Sequence, residues 1–239
     1  MYQQNYNDPY MQQRGNGAGT LQLVNTTMRK VYLKMTLALI VTALTALFCA
    51  GSDAYKDFLI GHTWIMWVYV IAEFGIVIGF SGVLTRMSNA TATLLFYLFA
   101  VINGLMFTTI FMAYAAAAIV KTFFITAGTF GAMSVYGYFT DRDLSKIGSF
   151  LTMALFGLII AMVVNIFLSN NALDWIISIV GVFIFVGLTA WDTQQVKTMA
   201  AMAPAEYSGR LATIGALNLY LDFINLFLML LRLFGNNND

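Results

Sequence analysis

Three acids stand where hydrocarbon is expected. Asp222 lies in the middle of Leu219-Tyr-Leu-Asp-Phe-Ile-Asn-Leu-Phe227, inside an apolar run from Leu211 to Leu231. Glu73 lies within an apolar run from Trp64 to Leu84, and Asp192 follows Trp191 at the end of another. A carboxylate at the centre of a membrane helix costs roughly 2.5–3.5 kcal/mol on insertion scales, so it persists where it has a partner or a task. Asn225 stands three residues after Asp222 and shares its helical face. That face is therefore polar and must turn towards a bundle interior or a wet cavity. Asp192 has a second reading, as the N-cap of Asp192-Thr-Gln-Gln195, a variant of the capping box. For Glu73 the alternative is structural pairing with a polar group on a neighbouring helix.

What these acids can do depends on whether they meet. Two carboxylates in contact at low dielectric cannot both ionise cheaply, so they hold one proton between them and titrate as a pair. Losing that proton replaces a hydrogen bond with repulsion. Contact between Asp192 and Asp222 would thus be a pH-sensitive latch between the segments that carry them. The same groups are hard oxygen ligands suited to Ca²⁺. They fall short of the about six to eight oxygens of a tight site, which suits passage better than storage.

Composition says what must position them. Of 239 residues, 60% are hydrophobic and 10% charged, and the mean hydropathy is +0.77. A soluble domain carries about 25% charge, so this is a polytopic membrane protein. Seven runs approach or exceed the ~20 residues that cross ~30 Å of hydrocarbon. They are Val31–Ala50, Trp64–Leu84, Ala90–Tyr114, Thr122–Thr140, Ile147–Leu168, Leu173–Trp191 and Leu211–Leu231. The domain they form is expected over 29–235, followed by a short C-terminal tail at 236–239. Residues 1–28 are dominated by Gln, Asn, Tyr and Gly and are expected to form a disordered cytoplasmic tail. The first run exceeds the about 7–15 residues of a signal-peptide core and is expected to remain as an anchor.

Lys and Arg placement puts the N-terminus in the cytoplasm. That side holds Arg14, Arg29, Lys30, Arg86, Arg142, Lys146, Lys197 and Arg210, with Lys34 close by; the other holds Lys56, Lys121 and Arg232. An odd number of spans places the C-terminus outside, unless the last segment is re-entrant. The net charge of +1 offers nucleic acid no electrostatic footprint. Cys49, the single cysteine, reads as a small buried hydrophobe.

Enzymatic readings fail on residue types. Gly79-Phe-Ser-Gly82 resembles the nucleophile motif of intramembrane serine proteases, which needs a histidine within reach of the serine. His62 is the single histidine, and it lies roughly 28 Å from Ser81 along one helix. The motif is better read as close helix packing by small residues. The seventh run has no lysine for retinal. Clusters of His and Cys for zinc, phosphate loops and EF-hand loops are absent as well.

The chain resembles the Bax inhibitor family of seven-helix membrane proteins, especially its YetJ-like bacterial branch. The matching stretches are Leu219–Phe227 with Leu230-Leu-Arg-Leu-Phe-Gly235, Trp191-Asp-Thr-Gln-Gln-Val196, Asp143-Leu-Ser145 and Glu73. Trp191 stands where the family usually carries Tyr. The resemblance implies an all-α fold whose central seventh helix is wrapped by the other six. It also implies a pH-sensitive Ca²⁺ leak controlled by an aspartate pair, matching Asp192 and Asp222, which would touch the metal weakly and transiently. Glu73, with Asn225, would then lie on the ion path. An arginine near the end of the second span engages the acidic pair in the family. Arg86 is the candidate, and snorkelling to headgroups is its alternative. No catalysis and no resident cofactor are expected, only Ca²⁺ and protons as permeant or regulating ions. The expected setting is the lipid bilayer of a bacterial inner membrane, with the protein a monomer. Two other readings stay open: a non-conducting membrane regulator that binds a partner, and a proton-coupled solute transporter.

Overall fold

The computed structural model describes residues 9–83 and 88–235, and its regular elements are helices. They are α1 (Pro9–Ala50), α2 (Asp53–Gly61), α3 (Ile65–Val83), α4 (Asn89–Ala113), α5 (Ala116–Phe139), α6 (Ser145–Leu168), α7 (Asn171–Met202) and α8 (Ser208–Phe234). A 3₁₀ turn, Ala205–Tyr207, precedes α8. Among the described residues, α1 from Gly19 onward and α4 to α8 are long and apolar enough to cross a membrane, six candidate spans in all. The run expected from Trp64 forms α3. Short helix α2 was not expected; Ser52 caps it by accepting from the Tyr55 N–H, and Lys56 pairs with Asp53 at 2.7 Å.

Two boundaries differ from expectation in ways that matter. Helix α1 reaches back to Pro9, through most of the stretch where a disordered tail was expected. Val24, Met28, Val31, Met35, Ala38 and Thr42 recur every three or four residues and are all buried, so one packing face reaches back to Val24, within the stretch expected to be a tail. Residues 1–8 and 236–239 lie outside the described residues. Helix α7 runs on to Met202, well past the expected end at Trp191. Asp192 is therefore a mid-helix residue, and the capping alternative is excluded. The actual N-cap of α7 is Asn170, whose side chain accepts from the N–H groups of Ala172 and Leu173.

Helix α8 is the most enclosed element. It packs against α7, α1, α5 and α4, and it is buried nearly all round. Its apolar faces pack on these neighbours, and the face of Asn218, Asp222 and Asn225 is enclosed with them. It runs unbroken for 27 residues, which leaves no place for a re-entrant turn. Helix α7 is the second hub, touching α8, α5, α6 and α1. Two elements are held more loosely: α3 packs mainly on α4, and α6 mainly on α7.

Close packing around the hubs rests on small residues, which let membrane helices approach without a hydrophobic driving force between them. Gly137 of α5 lies so near α7 that a Cβ there would collide with the Ala190 backbone carbonyl. Gly148 of α6 faces the ring of Trp191 in the same way. By contrast, Gly128, also on α5, has open space where a Cβ would go. Gly137→Ala should destabilise the protein by about 1–3 kcal/mol through overpacking. Gly128→Ala should be neutral or stabilise by up to about 1 kcal/mol through helix propensity. Thermal unfolding in detergent compares the two directly, and equal midpoints would refute the packing assignment.

Candidate functional site

The two aspartates meet. Asp192 on α7 and Asp222 on α8 are 9% and 5% exposed, and their carboxyl groups are near enough to interact. Two ionised carboxylates only accept, so a hydrogen bond between them requires a proton. Oδ2 of Asp222 is buried and has no hydrogen-bond donor in the protein. The pair is therefore neither a salt bridge nor a cap. It is a pair of acids set between two helices.

Neighbouring residues on other faces set the rotation of each helix. Two residues before Asp222, Tyr220 is wholly buried and edge-on to Phe96 and Phe99. Thr42 donates to the Ala100 carbonyl at 2.9 Å, so the Tyr220 hydroxyl must donate to Thr42 Oγ1, 2.7 Å away. This chain of bonds ties α8 to α1 and α4. Two residues after Asp192, Gln194 grips the turn between α5 and α6 with both ends of its amide. Its Oε1 accepts from the Leu144 N–H at 2.9 Å, and its Nε2 donates to the Arg142 carbonyl at 2.8 Å. In the same turn Asp143 accepts from the Ser145 N–H at 2.9 Å, and the Ser145 bonds hold this exposed carboxyl below its usual range. At the other end of the antiparallel pair, Arg232 in the last turn of α8 lies 3.6 Å from Asp174 in the first turn of α7. Each charge also complements the helix dipole beside it.

A cavity of about 940 Å³ opens beside the pair. Asp192 and Gln195 line it from α7, and Asn218, Asp222 and Asn225 from α8. Glu73 lines it from α3, with Oε1 buried and without a hydrogen-bond partner. The Nδ2 of Asn225 donates to the Leu221 carbonyl of its own helix at 2.8 Å, which frees its oxygen as an acceptor. Three acids and three amides thus border one space. Among the described residues no group of three His, Cys, Asp or Glu side chains is close enough to cage a metal ion.

The sequence-derived candidates divide cleanly. Asp192, Asp222, Glu73 and Asn225 come together at this cavity. Arg86 lies outside the described residues. So does the side chain of Ser81, while His62 stays exposed after α2, with Nδ1 3.0 Å from the Phe58 carbonyl. Gln195 and Asn218 were missed. Their signal was present, since Asn218 stands four residues before Asp222 and Gln195 three after Asp192, each on the same helical face. Tyr220 and Gln194 had no comparable signal, because each acts through a partner distant in sequence. Gln194→Ala should cost about 1–3 kcal/mol, as it frees two backbone groups. Gln194→Glu, which keeps the acceptor and loses the donor, should fall between it and the parent in thermal unfolding; an unchanged midpoint for Gln194→Ala would refute the bracket.

Comparison with known proteins agrees over most of the chain. The family described as "Inhibitor of apoptosis-promoting Bax1" matches residues 24–239. The Escherichia coli inner membrane protein YbhL is 45% identical over 216 residues, covering 89% of this chain and 92% of that protein. A Borreliella burgdorferi protein is 42% identical over 217 residues, covering 90% and 94%. A Rickettsia prowazekii protein is 41% identical over 213 residues, covering 89% and 90%.

Proposed function

We propose that the chain, which belongs to the Bax inhibitor family of integral membrane proteins, is a pH-sensitive Ca²⁺ leak whose gate is the proton shared by Asp192 and Asp222. The observation that carries this reading is the carboxyl pair at the wall of a cavity that Glu73 also lines. In the gate's closed state one proton holds α7 to α8. When it leaves, two like charges face each other at low dielectric and drive the helices apart. The same loss uncovers hard oxygen ligands for an entering Ca²⁺. Protons and Ca²⁺ thus compete for one pair of groups, and both effects favour flux as pH rises. Gln195, Asn218 and Asn225 offer amide oxygens along the way, while Glu73 supplies charge that attracts the ion. The mechanism needs no catalysis and no bound cofactor.

The topology that goes with this reading has seven spans. Helix α3, at 19 residues, is roughly 28 Å long and nearly matches the hydrocarbon thickness. Helix α8 then serves as the central element, wrapped by α1 and α3 to α7. Lys and Arg bias favours a cytoplasmic N-terminus and hence an outside C-terminus. A bacterial inner membrane is the favoured location, as for YbhL by its name, and a monomer suffices because both aspartates come from one chain.

Ca²⁺ flux into liposomes containing the purified protein, scanned from about pH 6 to 8, should rise with pH as the shared proton leaves the pair. Asp192→Asn and Asp222→Asn should each flatten that profile, since an amide facing a carboxyl cannot hold the shared proton. Flux absent at every pH, or unshifted profiles in both variants, would overturn the proposal. Glu73→Gln should lower flux several-fold, as expected for a charge on the ion path, and leave the pH midpoint in place. A moved midpoint would put Glu73 in the gate itself.

A further inference from the structure

The cavity has a second character that ion passage leaves unused. Away from the acids, its walls are hydrocarbon: Met66, Trp67 and Val70 on α3 face Leu155, Ile159 and Met162 on α6. These two helices pack on different neighbours, α4 and α7, and no substantial packing joins them among the described residues. Three lining residues, Trp67, Val163 and Ile166, are also exposed on the outer surface of the bundle, at 61%, 49% and 59%. The cavity is therefore a crevice open sideways between α3 and α6, continuous with the lipid-facing belt. Its volume of about 940 Å³ lies at the large end of small-molecule sites, which run about 300–1,000 Å³.

An apolar crevice open to hydrocarbon repels water, whereas its polar end is acidic. Two buried carboxyl oxygens, Glu73 Oε1 and Asp222 Oδ2, border the space with no hydrogen-bond partner in the protein. Among the described residues the lining holds three carboxyl groups and no cationic side chain. From Leu155 to Ile166 the wall of α6 extends for roughly 16 Å, comparable to an extended dodecyl chain.

We propose that the α3–α6 crevice binds a lipophilic monoamine, a single-chain amphiphile that enters sideways from the bilayer. Its hydrocarbon chain lies between α3 and α6, and its ammonium group faces Glu73 and the Asp192–Asp222 pair. An ammonium group brings three donors and one positive charge to groups that only accept when ionised. A fatty alcohol fills the same apolar space with one donor and no charge. A fatty acid sets a third carboxylate against the existing ones. Neither matches the lining in both shape and charge. This inference stands apart from Ca²⁺ conduction, since its test measures binding and not flux.

The test uses the full chain in lipid nanodiscs, with Trp67 or Trp175 kept as the single tryptophan and the others replaced by Phe. The probe is dodecylamine brominated at the chain end, which quenches tryptophan on contact. Trp67 borders the crevice, whereas Trp175, 60% exposed, lies outside it. Quenching of Trp67 should saturate and be reversed by unlabelled dodecylamine, while that of Trp175 should follow bilayer partition alone. Asp222→Asn or Glu73→Gln should weaken binding about ten-fold, the loss of one charge-assisted hydrogen bond. Non-saturating quenching equal at both tryptophans would overturn the proposal. So would equal binding of brominated dodecanol or dodecanoate, or unchanged affinity in both variants. Circular dichroism confirms that each variant is folded, and Glu73→Gln, on α3 and not part of the α7–α8 packing, keeps the test open if Asp222→Asn is not.

Discussion

A bilayer supplies no water to satisfy a buried polar group, so whatever is polar within the bundle must find its partner there. The carboxyl pair of Asp192 and Asp222 is the sharpest case. It is held in place by the two most enclosed helices, and Oδ2 of Asp222 has no hydrogen-bond partner in the protein. Much of the surrounding arrangement serves to keep that contact. Tyr220 ties α8 to α1 and α4 through Thr42, Gln194 ties α7 to the turn before α6, and Arg232 reaches Asp174 where α7 begins. These three attachments lie at different heights along the pair. Separation of the carboxyl groups must therefore work against packing above and below them.

The bundle is unequal in stiffness. Around α7 and α8, helices approach until glycine is required, as at Gly137 against Ala190 and Gly148 against Trp191. Cores at that density transmit displacement rather than absorb it. Helices α3 and α6 are different: each leans mainly on one neighbour, and the gap between them is the mouth of the cavity. A proposed ion path and a proposed amphiphile site can share such a space because its two ends differ. One end is bordered by carboxyl and amide groups, the other by Met, Trp, Val, Leu and Ile. The two proposed uses therefore meet at the acids, where an occupant's polar end would lie on the same groups that border the proposed ion path.

Most of the helices were legible in the sequence because a hydrocarbon-length apolar run has few alternatives in a membrane. The errors came where other physics took over. Helix α1 reaches back into polar sequence because one face, from Val24 to Thr42, still repeats at helical spacing. Helix α7 passes Trp191 because Thr193 and Val196 are buried against neighbours, while Gln194 finds backbone partners instead of water. Hydropathy averages over a window and cannot see either effect. Helix α2 escaped notice since nine residues are too few to register as a span.

The acids themselves were conspicuous from sequence, because a carboxylate flanked by apolar residues on both sides has no solvent to reach. Their helical faces were legible too: Asn218, Asp222 and Asn225 fall at four- and three-residue intervals. What sequence alone determined was thus the identity of the buried charges and the face each presents on its own helix. Which faces meet was decided only by the tertiary structure. Asp192 reaches Asp222 because α7 runs past its apolar stretch and α8 begins early enough to set mid-helix against mid-helix. The register between two helices depends on side chains interlocking across them, and spacing along one chain carries no record of it.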